Sequence, residues 1–286
     1  MDKAQEVYLK LMNDFGFKDA TGEITFTLKD IAIVVNQNNV VGNILEEWLA
    51  KWMRENEIPH KHNEGQSSPD FWLNPDSLAD DWLEVKSFTG SPNFDIAAYN
   101  SFINLILQKP YKLQSSYLLI KYKMVDGKVV IENCWLKKIW EISSPSEKWT
   151  IKVQDKKGII FNIRPAVWYS SKTDYPNFKC LEDFLAALEE VIYTYPDTHA
   201  RGATWKKELI QSYKNYYGVE LNIPRWMDIA DKYKKKCKTG YGCRNVTIQS
   251  KSRLSFLIIS FIVNYTLIKY VRFYPTRTNL LFIKLE

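Results

Sequence analysis

The chain has 286 residues, of which 45% are hydrophobic and 25% are charged. This composition is typical of a globular protein with a real core, and the length predicts one large domain or a domain with an appendage. Its 39 basic and 33 acidic side chains give a net charge of +6, a modest excess that is compatible with a polyanionic partner without identifying one.

The cysteines and histidines argue against a zinc site. The four cysteines are scattered without CxxC spacing, and only three histidines are available. Reduced thiols in the cytoplasm are therefore the plain interpretation. The N terminus lacks a basic region followed by an apolar stretch, so we expect no signal peptide.

The first third of the chain predicts two helices with two strands between them. Apolar residues at helical spacing indicate a helix over residues 2–15. Clean alternation predicts a strand over 24–28, and a more apolar strand over 31–35 follows it. An amphipathic helix is predicted over 41–56.

The most informative strand is predicted over 82–88, where apolar and β-prone residues surround two charged ones. Side chains alternate across a strand, so Glu84 and Lys86 share one face. Leu83 and Val85 form the other face, which we expect to pack inward.

A second carboxylate precedes this strand, in the sequence Ser68-Pro69-Asp70. Asp70 and Glu84 together can hold Mg²⁺, a hard cation that takes oxygen ligands and keeps several waters. Lys86 would then orient a metal-bound water, help to deprotonate it, or balance charge on a phosphate. The alternative interpretation is a turn aspartate beside an exposed, salt-bridged strand.

Strands are also predicted over 117–122 and 129–131, joined by a hairpin turn at Asp126-Gly127. The predicted fold class is therefore α/β, with a central mixed β-sheet of about five strands flanked by helices. Neither GxGxxG nor GxxxxGK[ST] occurs, which argues against a dinucleotide enzyme and a P-loop ATPase.

Asp95 lies between the 82–88 strand and a helix predicted over 101–108. Asp95 either caps that helix or faces DNA, because it follows the charged strand closely. The capping role is the simpler of the two.

Basic and aromatic residues are interleaved over 135–170. Lysines such as Lys137 and Lys138 can neutralise phosphates, and an arginine can bond guanine in the major groove. Arg164 follows a strand predicted over 159–163 and would project its guanidinium at a rim. The alternative for each lysine is an ordinary amphipathic surface.

The end of the chain differs in character, so we divide the protein into a domain over 1–226 and an extension over 227–286. Residues 232–284 contain no acidic residue, and an apolar stretch occupies 254–268. That stretch is shorter than the ~20 apolar residues of a membrane span, so we expect no span.

In their order along the chain, several segments resemble a known family. The Pro-Asp and Glu-x-Lys residues match the pattern of the PD-(D/E)xK nuclease superfamily at Asp70, Glu84 and Lys86. The wider sequence resembles type II restriction endonucleases of the NgoBV/NlaIV kind over roughly residues 1–225. The segments that carry this resemblance are 24–26, 41–49, 94–97, 135–142 and 162–166.

The resemblance implies Mg²⁺-dependent, sequence-specific cleavage of double-stranded DNA that leaves 5′-phosphate ends. It implies a palindromic site like GGNNCC, a homodimer with one active site per strand, and a cognate DNA methyltransferase as genetic partner. In this superfamily a helix glutamate often joins the metal site, and we assign that role to Glu47, with Glu46 as the alternate. Two other hypotheses are a repair nuclease of the same superfamily and a non-catalytic DNA-binding module.

Overall fold

The structure, a computed structural model, describes residues 2–65 and 67–236. Within them the chain forms six α-helices: α1 (Lys3–Leu9), α2 (Val41–Glu55), α3 (Tyr99–Gln108), α4 (Leu181–Thr194), α5 (His199–Tyr217) and α6 (Trp226–Ile229). The same residues form eleven β-strands: β1 (Thr21–Glu23), β2 (Thr25–Leu28), β3 (Ile31–Val34), β4 (Lys61–His62), β5 (Phe71–Trp72), β6 (Trp82–Phe88), β7 (Ala97–Ala98), β8 (Ser116–Val125), β9 (Lys128–Lys138), β10 (Val153–Lys156) and β11 (Ile159–Ile163).

The largest sheet in the described part of the chain has six strands in the order β1-β9-β8-β6-β5-β4. Strands β6 and β8 are parallel and the other neighbours are antiparallel, so the sheet is mixed, as predicted. The predicted strands near residues 24–35 do not join it, because β2 and β3 pair only with each other. Their places are taken by β1, β4 and β5, which are two or three residues long and too short to show an alternation in the sequence.

Strand β6 has the bounds predicted for it and lies between β5 and β8. Leu83 and Val85 are buried in one core together with Leu45 and Leu49 of α2, which confirms the inward face of the strand. Alternation along β6 therefore turns Glu84 away from that core, toward the other side of the sheet.

A second core covers the other side. Tyr117 and Leu119 of β8 belong to it, together with residues of α3, α4 and α5. Trp205 of α5 is fully buried there, and its indole N–H donates to the carbonyl oxygen of Ile103 at 2.9 Å. Residues on both sides of the sheet are thus covered by helices, as expected for an α/β fold.

Local sequence signals correctly predicted the positions of a turn and of a helix start. The hairpin turn at Asp126-Gly127 is confirmed: both residues have positive φ, 49° and 78°, and they join β8 to β9. The N-terminal helix begins where predicted, because Asp2 accepts a hydrogen bond from the backbone N–H of Ala4. It is α-helical only to Leu9 and continues as a π-helical segment, Lys10–Asp14.

Two of the described residues after Trp226 pack against the second core. Ile229 and Tyr233 are buried there, and the Tyr233 hydroxyl donates to the Asp183 carboxylate at 2.6 Å. A boundary after Trp226 remains a prediction, and residues 237–286, with the apolar stretch predicted in them, lie outside the described residues. None of the described helices is both long and apolar enough to cross a membrane.

Candidate active site

The predicted residues Asp70, Glu84 and Lys86 meet at one point of the sheet. Asp70 immediately precedes β5, whose antiparallel pairing with β6 brings its carboxylate beside that strand. The backbone N–H of Val85 donates to Asp70 Oδ2 at 2.6 Å. Lys86 Nζ lies 3.4 Å from Asp70 Oδ2 and 3.4 Å from Glu84 Oε2, so one ammonium group faces both carboxylates.

The structure adds a residue that the sequence analysis missed. Lys112 lies in a 3₁₀ turn, Pro110–Gln114, that leads into β8, and it is almost completely buried. Its Nζ donates to Glu84 Oε1 at 2.5 Å and also contacts the Ser68 hydroxyl, which in turn donates to Glu84 Oε1. Nothing in the local sequence indicates this role, because a lysine beside a proline turn is usually exposed.

The lysines decide the charge state of Glu84, which is only 3% exposed. Burial is the largest influence and acts to raise the pKa of Glu84. The positive charges of Lys112 and Lys86 and the hydrogen bonds from Lys112 and Ser68 outweigh burial, so the pKa of Glu84 is lowered. Glu84 is therefore a carboxylate at neutral pH, with Oε1 engaged by Lys112 and Oε2 near Lys86.

Asp70 differs from Glu84. Burial, and secondly the negative charge of Glu84, raise the pKa of Asp70 to about 6, although Lys86 and the Val85 N–H act in the opposite direction. For Lys86, burial disfavours the ammonium form, but the charges of Glu84 and Asp70 outweigh it and raise the pKa of Lys86. The site thus holds the Lys86 ammonium next to the Asp70 carboxyl group. Ionising Asp70 is unfavourable unless a further positive charge is present.

The oxygen-rich character of the site fits Mg²⁺. No group of three or more His, Cys, Asp or Glu side chains in residues 2–65 and 67–236 is arranged as a full metal cage. Mg²⁺ does not require one, since it usually takes one or two carboxylates and keeps several waters. Tyr117, the cross-strand neighbour of Glu84, has a fully buried hydroxyl without a hydrogen-bond partner in that part of the chain.

The helix glutamates are placed differently from our assignment. Glu47 is exposed on α2. Glu46, one residue earlier, is half-buried, and its charge contributes to raising the pKa of Asp70. Glu46 Oε1 also lies 3.2 Å from Nε2 of His62 on β4. The alternate residue, Glu46, is therefore the glutamate that faces the site.

Arg164 and Asp95 contact each other. The Arg164 guanidinium pairs with the Asp95 carboxylate and also donates to the carbonyl oxygen of Asn93. The pairing of β11 with β7 brings these residues together. The capping role for Asp95 is wrong: α3 begins at Tyr99, preceded by Ala98 as its N-cap, and no side chain caps it.

Lys137 and Lys138 at the end of β9 have partners within the chain. Lys137 Nζ lies 2.9 Å from the Glu141 carboxylate. Lys138 Nζ donates to the Gln114 carbonyl oxygen at 2.6 Å and to the Ser116 hydroxyl at 2.9 Å. Each lysine thus has a partner within the chain, and its assignment to phosphate contact remains a prediction.

Comparisons with known proteins agree with this architecture. A sequence model of the family described as "NgoBV restriction endonuclease" matches residues 1–233. The chain is 44% identical over 238 residues to the type II restriction enzyme NlaIV of Neisseria lactamica, a match that covers 82% of this chain and 98% of that protein. It is 37% identical over 158 residues to the type II restriction enzyme NgoBV of Neisseria gonorrhoeae, covering 54% of this chain and 90% of that protein.

A solved structure of the NlaIV restriction endonuclease matches this fold with a TM-score of 0.78 and 43% sequence identity, over 82% of this chain and 97% of that chain. The family match spans all the residues that converge at the site. The chain therefore belongs to the NgoBV family of restriction endonucleases and is a type II restriction enzyme, a site-specific deoxyribonuclease.

Proposed function

We propose that this restriction enzyme cleaves double-stranded DNA in a Mg²⁺-dependent reaction at the site formed by Asp70, Glu84 and Lys86. The observation that carries the proposal is that a single half-buried ammonium group, Lys86 Nζ, lies 3.4 Å from each of two carboxylates. This arrangement on a strand of a mixed sheet also supports assignment to the PD-(D/E)xK superfamily.

Each residue has a distinct role in the proposed reaction. Asp70 and Glu84 Oε2 would hold Mg²⁺, which when bound supplies positive charge that stabilises the phosphate as it is attacked. Lys86 orients the attacking water opposite the leaving oxygen. The water oxygen bonds to phosphorus and gives up a proton to solvent, the bond to the 3′ oxygen breaks, and that oxygen takes up a proton from solvent, so the products are a 5′-phosphate and a 3′-hydroxyl. Lys112 holds Glu84 in place through its hydrogen bond to Oε1, which leaves Oε2 available to the metal ion.

A groove supports the DNA-binding part of the proposal. It has a volume of about 610 Å³, and its lining includes Ser91, in the loop that follows β6. Its charged lining residues are three lysines, Lys152, Lys172 and Lys235, and two acidic residues, Glu147 and Asp174, so it has a small excess of cations suited to a phosphate backbone. Tyr169 also lines it and donates to the Gly90 carbonyl oxygen, so the groove wall is tied to the end of the active-site strand.

We assign the recognition sequence as a palindrome like GGNNCC, on the strength of the family resemblance. Arg164 is the residue that we propose for guanine or phosphate contact, and it would exchange its Asp95 partner for DNA. Asp95, at the same rim and half-exposed, would then contact a base amine. A two-fold symmetric site requires two copies of the chain, one for each strand. A cognate methyltransferase would protect the host DNA in the cytoplasm.

Digestion of unmethylated phage DNA tests the proposal. Wild type is compared with Asp70→Ala and Lys86→Ala, with Glu47→Gln as a matched control on the exposed side of α2. Discrete fragments from wild type and the control, only with Mg²⁺, and none from the two site variants would support the proposal and allow the site to be mapped. A smear would indicate a nonspecific nuclease and contradict site-specific cleavage. DNA binding without cleavage by folded wild type would indicate a binding module.

A further inference from the structure

His62 on β4 holds the side chain of Glu46 on α2. His62 Nε2 lies 3.2 Å from Glu46 Oε1, and because an ionised carboxylate only accepts hydrogen bonds, the imidazole N–H is the donor. Within residues 2–65 and 67–236, the Glu46 carboxylate makes no other hydrogen bond or ion pair. The position of this carboxylate therefore depends on His62.

The imidazole of His62 is itself held by packing. Its ring stacks on Phe71, with the ring centroids 4.7 Å apart and the planes 17° from parallel. Phe71 is the cross-strand partner of His62 and is fully buried. Only 11% of the His62 side chain is exposed, so Nε2 points in a fixed direction. The backbone N–H of Asn63 donates to the Asp70 carbonyl oxygen at 2.9 Å, which joins the strand that carries His62 to Asp70.

The backbone of α2 passes close to the active-site strand β6. A Cβ placed on Gly42 would lie 3.1 Å from Ser87 Oγ, and Ser87 follows Lys86 directly. Glu46 is four residues after Gly42, so it lies on the same side of the helix. The fold of α2 therefore brings Glu46 near the site, and the direction of its side chain decides whether the carboxylate faces it.

Charge repulsion opposes that direction in the metal-free protein. Burial and the charge of Glu84 are the largest influences that raise the pKa of Asp70 to about 6, and the charge of Glu46 adds to them. Glu46 is thus repelled by the carboxylates that it faces. Its side chain is 28% exposed and has several rotatable bonds, so without a partner it would turn toward water. The His62 hydrogen bond opposes this movement.

We propose that His62 is a positioning residue for DNA cleavage, because its imidazole holds the Glu46 carboxylate toward Asp70. Glu46 would there join Asp70 and Glu84 in holding Mg²⁺. His62 acts only through Glu46 and contacts neither the metal nor the DNA. The inference rests on the proposed function, since it assigns a further role at the same site.

Two substitutions separate the hydrogen bond of His62 from its packing. His62→Phe keeps a flat ring against Phe71 and removes the donor, whereas His62→Gln removes the ring and keeps an N–H donor. His60→Phe is the matched control. His60 also packs against Phe71, edge-on at 5.9 Å, but its Nδ1 lies 2.8 Å from the Ile58 carbonyl oxygen and not beside a carboxylate.

The test uses the full chain and three measurements. Isothermal titration calorimetry gives Mg²⁺ affinity without DNA, a single-turnover assay gives the cleavage rate at saturating DNA, and a shift assay in EDTA gives the Kd for DNA. His62→Phe should lower both the Mg²⁺ affinity and the cleavage rate by ~10–100-fold, as expected when a group that orients a metal ligand is lost. The Kd for DNA should not change, which also reports that the variant is folded. His62→Gln should recover most of both losses, and His60→Phe should match wild type.

The double variant His62→Phe/Glu46→Gln tests whether His62 acts through Glu46. It should be no more impaired than Glu46→Gln alone, because two residues that act as one unit do not contribute additively. Four results would overturn the proposal: wild-type Mg²⁺ affinity and cleavage in His62→Phe, additive losses in the double variant, equal losses in His62→Gln and His62→Phe, or the same loss in His60→Phe.

Asp70→Ala distinguishes failure of this inference from failure of the proposed function. If Asp70→Ala cleaves DNA as wild type does, the proposed active site is wrong, whatever the His62 variants show. If Asp70→Ala is inactive and His62→Phe has the wild-type rate, only the role of His62 is wrong.

Discussion

Replacing Asp70 by asparagine should stabilise the metal-free protein while it abolishes cleavage. The pKa of Asp70 is raised from 3.8 to about 6, first by burial and then by the charge of Glu84. A shift of about 2 pKa units corresponds to roughly 3 kcal/mol. Asparagine has the same shape without the charge, and its amide oxygen can still accept the hydrogen bond from the Val85 N–H.

The sign follows from proton linkage. The folded protein holds the Asp70 proton more tightly than the unfolded chain, so wild-type stability is lost as pH rises from about 4 to about 6. The amide that replaces the carboxyl group in Asp70→Asn does not titrate. The variant should therefore exceed wild type in unfolding free energy by up to about 3 kcal/mol at pH 8 and by about half of that near pH 5. The difference should vanish below the unfolded-state pKa.

Urea denaturation with EDTA at pH 5 and pH 8 measures this difference, with Glu47→Gln as the control. That exposed substitution should change the unfolding free energy by no more than about 0.5 kcal/mol at either pH. Added Mg²⁺ should raise the midpoint of wild type and have little effect on the Asp70 variant, because ligand binding stabilises only a chain that binds it. A variant that is less stable than wild type at pH 8, or equally stabilised at both pH values, would refute the reasoning.

Lys112→Met should cost about 3–5 kcal/mol of unfolding free energy near neutral pH, because buried Glu84 keeps its charge but loses its closest partner. Adding Glu84→Gln to this variant should restore part of the lost unfolding free energy, as measured by urea denaturation. A Lys112→Met variant with the unfolding free energy of wild type would contradict the prediction. Glu46→Gln should lower the cleavage rate by ~10–100-fold while Glu47→Gln does not, and equal rates would exclude a role for Glu46. A chain ended after Trp226 should have a lower thermal unfolding midpoint than a chain ended after Lys236, because it lacks the buried core residues Ile229 and Tyr233, and equal midpoints would contradict that.

Several features of the site were predictable because they depend on local geometry. Alternation along a strand has a fixed period of two, so the sequence alone placed Glu84 and Lys86 on one face and Leu83 on the other. The positive φ values required at Asp126-Gly127 likewise follow from the residue types in the turn.

Other features depended on distant contacts. Adjacent helix residues point about 100° apart, so the choice between Glu46 and Glu47 was made by how α2 packs on the sheet. Lys112 reaches Glu84 only because the turn before β8 lies against the neighbouring parallel strand β6. The Lys112 ammonium is then buried with a carboxylate rather than solvated. No periodicity in the sequence encodes that contact. Only the tertiary structure decides it, because the fold removes water from both charges and so favours their direct pairing.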